Sequence, residues 1–109
     1  LIYNKLVSEI TYTRSWRDFC FDFFESNPYK PAPSLRSFYE TYKVDKNILE
    51  NYFDKMEIEK SLLTDEVYIE LNWNLQLELS SYYYGEQARY IISAYRDNDV
   101  KKALTVLSK

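Results

Sequence analysis

Cys20, the pair Ser80-Ser81, the carboxylates of Asp97 and Asp99 and the run Tyr82-Tyr83-Tyr84 are the side chains whose type or spacing could do chemistry. Each points to a different reaction or ligand, and each lacks a necessary partner. A cysteine nucleophile needs a base, and the sequence has no histidine. That absence also removes histidine triads, imidazole acid–base chemistry and histidine metal sites. Cys20 shares a helical face with Trp16 and Phe23, the setting of a small buried hydrophobe. As the single cysteine it makes no internal disulfide and no structural zinc site. Asp97-Asn98-Asp99 opens like a calcium loop but lacks the glycine and closing glutamate, so a helix cap explains it better. Ser80-Ser81 has no glycine elbow around it and reads as solvated helix surface. The tyrosine run could stack bases, yet no basic groove accompanies it, and packing is the simpler role. The chain therefore offers no catalytic residue, no metal ligand set and no cofactor site.

Composition agrees. A single glycine rules out a glycine-rich phosphate loop and disfavours all-β folds, whose hairpins consume glycine. Twelve tyrosines within an aromatic content of 18% supply large flat groups with polar tips for a core or an interface. With 46% apolar and 28% charged residues the 109-residue chain reads as one ordinary globular domain, residues 1–109. The net charge of −3 argues against a nucleic-acid partner. No apolar run reaches transmembrane length, so membrane insertion is not expected. No signal peptide is visible, and a start at Leu1 rather than methionine fits a piece of a longer chain.

Positioning falls to helices. Tyr3, Leu6, Val7 and Ile10 keep helical spacing, as do Trp16, Phe19, Cys20, Phe23 and Phe24. The prolines of Asn27–Pro33 make a loop. Ser34 caps a short helix carrying Leu35, Phe38, Tyr39 and Tyr42, and Asp45 caps the next, with Ile48, Leu49, Tyr52, Phe53 and Met56 inward. After Gly85, the residues Ala88, Ile91, Ile92 and Tyr95 form another helical face. Asp97 is expected to cap a last helix with Val100, Ala103, Leu104 and Leu107 inward.

The segment Val67–Leu79, VYIELNWNLQLEL, places an apolar residue at every second position, which is a strand signal. Thr64-Asp65-Glu66 before it and Gly85 after it are helix start and stop signals. At about 100° per residue, Val67, Leu71, Leu75 and Leu79 make one stripe and Ile69, Trp73 and Leu77 a second, roughly opposite. No other segment alternates convincingly, and a lone strand cannot satisfy its backbone. The reading is an all-α fold, an orthogonal bundle of five or six helices around a long central helix at about residues 65–84. The Trp16–Phe24 helix and the last helices can cover the first stripe. The second is then a candidate interface, Ile69, Trp73 and Leu77, extended by Tyr82, Tyr83 and Tyr84.

Two functional patterns lie in this frame. Residues 34–63 resemble a TetR-type helix-turn-helix, but the would-be recognition helix sets Asp45, Glu50 and Asp54 against Lys46 and Lys55, and phosphate contacts dominate DNA affinity. The turn also has Lys43 where glycine is usual. The second pattern is GEQARYIISAYRDNDVKKALTVL, Gly85–Leu107, together with SFYETYKVDKNILENYFDKMEIE upstream. Gly85, Glu86, Ala88, Tyr90, Asp97 or Asp99, Val100, Lys101, Lys102, Ala103 and Leu104 carry it, with Phe38, Val44, Asp45, Ile48, Leu49, Tyr52 and Phe53. It resembles the C-terminal helical region of the C-terminal processing peptidases, the tail-specific serine proteases, over roughly Trp16–Leu107.

That resemblance implies a noncatalytic region that buttresses a protease core or contributes to dimer contacts. It implies a cell-envelope or periplasmic setting, and as partner the protease core of the same parent chain or a second subunit. The family's serine–lysine pair and its PDZ domain lie in glycine-rich regions that this sequence lacks, so no catalytic residue carries over. A small TetR-like DNA-binding regulator and a free-standing helical interaction module are the other readings the residues allow. If the Ile69–Trp73–Leu77 stripe meets a partner, Trp73→Glu should lower the associated mass in size-exclusion chromatography more than it lowers the unfolding temperature.

Overall fold

The alternating segment is a helix. The computed structural model describes residues 4–107, as α1 (Lys5–Thr11), α2 (Arg14–Ser26), α3 (Leu35–Thr41), α4 (Lys46–Lys55), α5 (Asp65–Tyr84) and α6 (Ala88–Leu107). A short 3-10 turn, Lys60–Leu62, precedes α5, and no strand occurs among the described residues. Helix starts follow the sequence signals. Asn4, Thr13, Ser34 and Thr64 each accept a backbone N–H of the first turn through the side chain. Asp45 holds the N-cap position of α4 with extended backbone, but its carboxylate makes no capping bond.

α5 is covered over most of its length, with exposed side chains only near its two ends. Val67, Leu71, Leu75 and Leu79 are buried in one cluster with Ile10, Trp16, Cys20, Leu49, Tyr52 and Phe53, which brings α1, α2 and α4 onto this stripe. Truncating any of the three leucines, each 0% exposed, to alanine costs about 2–5 kcal/mol in such a setting. α6 takes the other stripe. Its Arg96 guanidinium lies 4.6 Å from the Trp73 ring centroid, and its Tyr95 packs on Tyr39 of α3, which meets Trp73 edge-on. The last helix thus covers the second stripe, not the first as expected from the sequence.

The polar residues between the apolar ones are also used. The Trp16 indole N–H donates to Asn74 Oδ1 at 2.6 Å. Asn72 Oδ1 accepts the Val44 N–H at 2.8 Å, and the Tyr68 hydroxyl donates to the Val44 carbonyl. The buried Gln76 amide donates to the carbonyls of Phe38 and Tyr39 at 3.0 and 3.1 Å. Phe38 also accepts the Tyr42 N–H at 3.0 Å, while Tyr39 lies in the last turn of α3, where carbonyls lack helical partners. Tyr83 and Tyr84 donate to Asn27 and Ala32 carbonyls in the proline loop. Glu70 and Glu78 accept from Arg96 and Arg89 of α6 at 2.6 and 2.9 Å. A polar face that would be wasted on water in a surface helix here serves the backbone of the irregular segments.

Four expectations need correction. α6 runs unbroken through Asp97, because no glycine or proline interrupts the segment and Asp97 has no helix start to cap. Ala103 and Leu104 point to solvent, Leu104 being 61% exposed, since a continuous helix carries them past the end of its support on α3 and α5. Met56 is exposed because it is the C-cap of α4 rather than part of its inner face. Ser80 is fully buried, not solvated. Its hydroxyl donates to the Leu77 carbonyl at 2.7 Å, which makes burial tolerable. Tyr3 lies outside the described residues, as does the side chain of Leu107.

Two chain reversals use positive φ. Gly85 ends α5 at φ 98. Glu57 ends α4 at φ 58, where the Ile58 N–H reaches the Phe53 carbonyl and the Glu57 N–H the Asp54 carbonyl, a Schellman closure. Glutamate has no side-chain reason to favour that conformation. Glu57→Gly should therefore raise urea-unfolding stability by about 0.5–1 kcal/mol. Gln76→Leu should lower it by about 1–3 kcal/mol, because the Tyr39 carbonyl is left without its donor while Phe38 keeps the Tyr42 N–H.

Candidate interaction surface

The six interface candidates divide by environment. Ile69 is 57% exposed. Trp73 and Leu77 are half-buried, Trp73 in the wall of a shallow cleft of about 450 Å3 that Tyr39, Glu40, Arg96 and Asp99 also line. Its partners are intramolecular, so Trp73→Glu would disturb folding as well as any association. Ile69 is the cleaner probe of that face. Tyr83 is buried in the core cluster, and Tyr84 is half-buried beneath Lys30, whose ammonium lies 5.4 Å from the ring centroid.

Tyr82 belongs elsewhere. It lies 36% exposed at the end of α5, where it packs edge-on to Phe21 at 5.7 Å and against Phe24 at 5.0 Å. Phe21 is itself 44% exposed, and Tyr90, 78% exposed, shares a surface hollow with Tyr82, Glu78, Glu86 and Arg89. The sequence pointed to Tyr82 but not to Phe21 or Tyr90. Phe21 lies on the side of α2 opposite to Phe19 and Phe23, and that off-stripe aromatic is the signal that could have found it.

The groups with chemical potential are occupied or neutral. Burial pushes the Cys20 thiol well above its ordinary range, with the nearby Glu78 charge adding to the effect. The neutral thiol is a poor nucleophile, as the packing reading requires. The Tyr39 hydroxyl donates to Asp99 at 2.6 Å, while the Arg36 guanidinium stacks over Tyr95 and Tyr39. Among the described residues no three His, Cys, Asp or Glu side chains gather as a metal site would need. No described helix is long and apolar enough to cross a membrane. On and beside α4 the exposed Lys46 and Lys55 are offset by the exposed Asp45 and Asp54 and the half-buried Glu50, and Asp54 also pairs with Lys60 at 3.1 Å. That surface has no basic surplus for a phosphate backbone. No protein-family model, curated protein or solved structure matches the chain at a significant level.

Tyr39 is pushed up to about 12, by burial first and then by its bond to Asp99. Burial also raises Tyr42, Tyr68, Tyr82, Tyr83 and Tyr84. An unfolded tyrosine loses its proton near pH 10, so above that pH the unfolded chain holds fewer protons than the folded one. Stability is then fully present below about pH 10 and falls as pH rises through the folded-state values. Urea midpoints should decline steadily from about pH 10 upward, and less steeply in Tyr39→Phe. Phenolate absorbance should show several hydroxyls ionising only with unfolding.

Proposed function

We propose that this chain is a noncatalytic helical domain that works by docking on another protein surface, and that its setting is a C-terminal processing peptidase whose protease core it buttresses. The observation that carries the docking is the aromatic group Phe21, Tyr82 and Tyr90, exposed together where α2, α5 and α6 come close. Aromatic side chains with polar tips are enriched at protein interfaces, because they bury a large area at small conformational cost. The residues with chemical potential have structural roles: Cys20 in the core, Tyr39 on Asp99, and Glu70 and Glu78 on α6 arginines. The peptidase setting rests on the resemblance of Gly85–Leu107 and Ser37–Glu59. A long helix ending at Gly85 fits that pattern.

Double substitution Phe21→Ser and Tyr90→Ser should weaken binding to a separately expressed protease core by about tenfold or more, about 1.4 kcal/mol. The unfolding temperature should change little, because both side chains are exposed. Undiminished binding removes the aromatic group from the interface. A reading frame upstream without a serine–lysine protease domain overturns the peptidase setting, as does peptide hydrolysis by these 109 residues alone.

A further inference from the structure

Helices α2 and α4 leave an open trough of about 610 Å3 between them, away from the aromatic group just described. Its floor is apolar. α2 supplies Phe19 and Phe23, and α4 supplies Ile48, Tyr52 and Met56. Phe19 and Phe23 span about one turn of α2, ~6 Å, and Ile48, Tyr52 and Met56 span about two turns of α4 up to its C-cap, ~12 Å. Phe19 packs on Tyr52 at 4.9 Å and on Phe23 at 6.4 Å, which keeps the floor continuous. Phe19, Phe23 and Ile48 are only half-buried and Met56 is exposed.

The two rims differ in charge. Asp18 and Asp22 line the α2 side, one turn apart, and Lys55 lines the α4 side. Asp18 meets Arg14 only at 3.9 Å with both side chains largely exposed, a contact of little strength. Asp22 has no ion pair among the described residues. The acidic rim therefore keeps its charge for an incoming group.

We infer that this trough binds an amphipathic helix of another protein, its apolar stripe seated on Phe19, Phe23, Ile48 and Met56 and a lysine- or arginine-bearing edge beside Asp18 and Asp22. The apolar floor matches the i, i+3, i+4, i+7 anchors of such a helix, and a third helix laid on two completes ordinary ridge-and-groove packing. The opposite charges of the rims fix which way round it lies. The inference uses a face separate from the Phe21–Tyr82–Tyr90 group and does not depend on the peptidase setting.

The test uses the full chain and two labelled synthetic helices of about four turns with the same leucine stripe. One carries lysines on one flank and glutamates on the other; the second carries glutamates on both. In fluorescence anisotropy at low salt, the lysine-edged peptide should bind about tenfold or more tighter than the other. Added salt should narrow the difference. The double variant Asp18→Lys, Asp22→Lys should reverse the preference. Ile48→Asp should abolish binding, and Met56→Asp, at an exposed position, should weaken it even where Ile48→Asp fails to fold. No binding of either peptide, equal affinity for both, or indifference to the rim and floor variants overturns the inference. So does tighter capture of a proline-broken leucine peptide. A dimeric mass abolished by Met56→Asp assigns the trough to a second copy instead.

Discussion

Everything in this fold hangs on the requirement that α5, a helix covered along most of its length, satisfy the polar groups of the segments around it. A central helix in a small bundle would ordinarily be apolar all round. This one faces irregular backbone at Asn27, Ala32 and Val44 and the last turn of α3 at Tyr39, whose carbonyls and amides must find partners if they are covered. Asn72 and Tyr68, one turn apart, take both backbone groups of Val44, which is itself nearly buried. Gln76 serves the end of α3, and Tyr83 and Tyr84 serve the proline loop. Among the described residues no buried side-chain nitrogen or oxygen lacks a partner. A set of buried polar contacts satisfied this completely specifies one arrangement of the surrounding elements, which nonspecific apolar packing does not.

That requirement explains the strand-like appearance of Val67–Leu79. Alternation normally separates a dry face from a wet one. Here odd positions meet side chains and even positions meet backbone carbonyls, amides and arginines, so both sets are engaged within the protein. The helix itself was legible, because Thr64, Asp65 and Gly85 are local signals, and so were the Ser34 cap and the proline loop. The direction from which α6 approaches was not legible. Two opposed stripes on one helix do not say which neighbour takes which, and the decision rests on Arg96 over Trp73 and on Tyr95 against Tyr39. The continuity of α6 was misread for a different reason. Asp97 is a good cap residue, but a cap acts only where a helix begins, and nothing before it stops the helix.

The surface groups were the least legible. Tyr82 could be singled out as one of three adjacent tyrosines, but their fates differ through helical rotation alone: one exposed, one in the core, one beneath a lysine. Phe21 and Tyr90 join Tyr82 only after α2 and α6 have been placed. The trough between α2 and α4 is likewise a property of two helices that the sequence describes separately. Phe19, Phe23 and Ile48 read as core residues by spacing, and the structure leaves them half-covered because, among the described residues, no third helix lies over that seam.

The hydrogen bonds of α5 also span the chain unevenly. Its partners at Trp16, Asn27, Ala32, Phe38 and Val44 all precede it, by 58 residues at the widest and 24 at the narrowest. A ribosome delivers those partners first, so four helices rich in phenylalanine and tyrosine leave the exit tunnel with their organising element still unmade. At ordinary synthesis speeds that exposure lasts for seconds. Nascent chains halted short of residue 84 would carry an unburied aromatic load, an affinity for holdase chaperones and no cooperative melting. Emergence of α5, and then of α6 over its second stripe, would convert them.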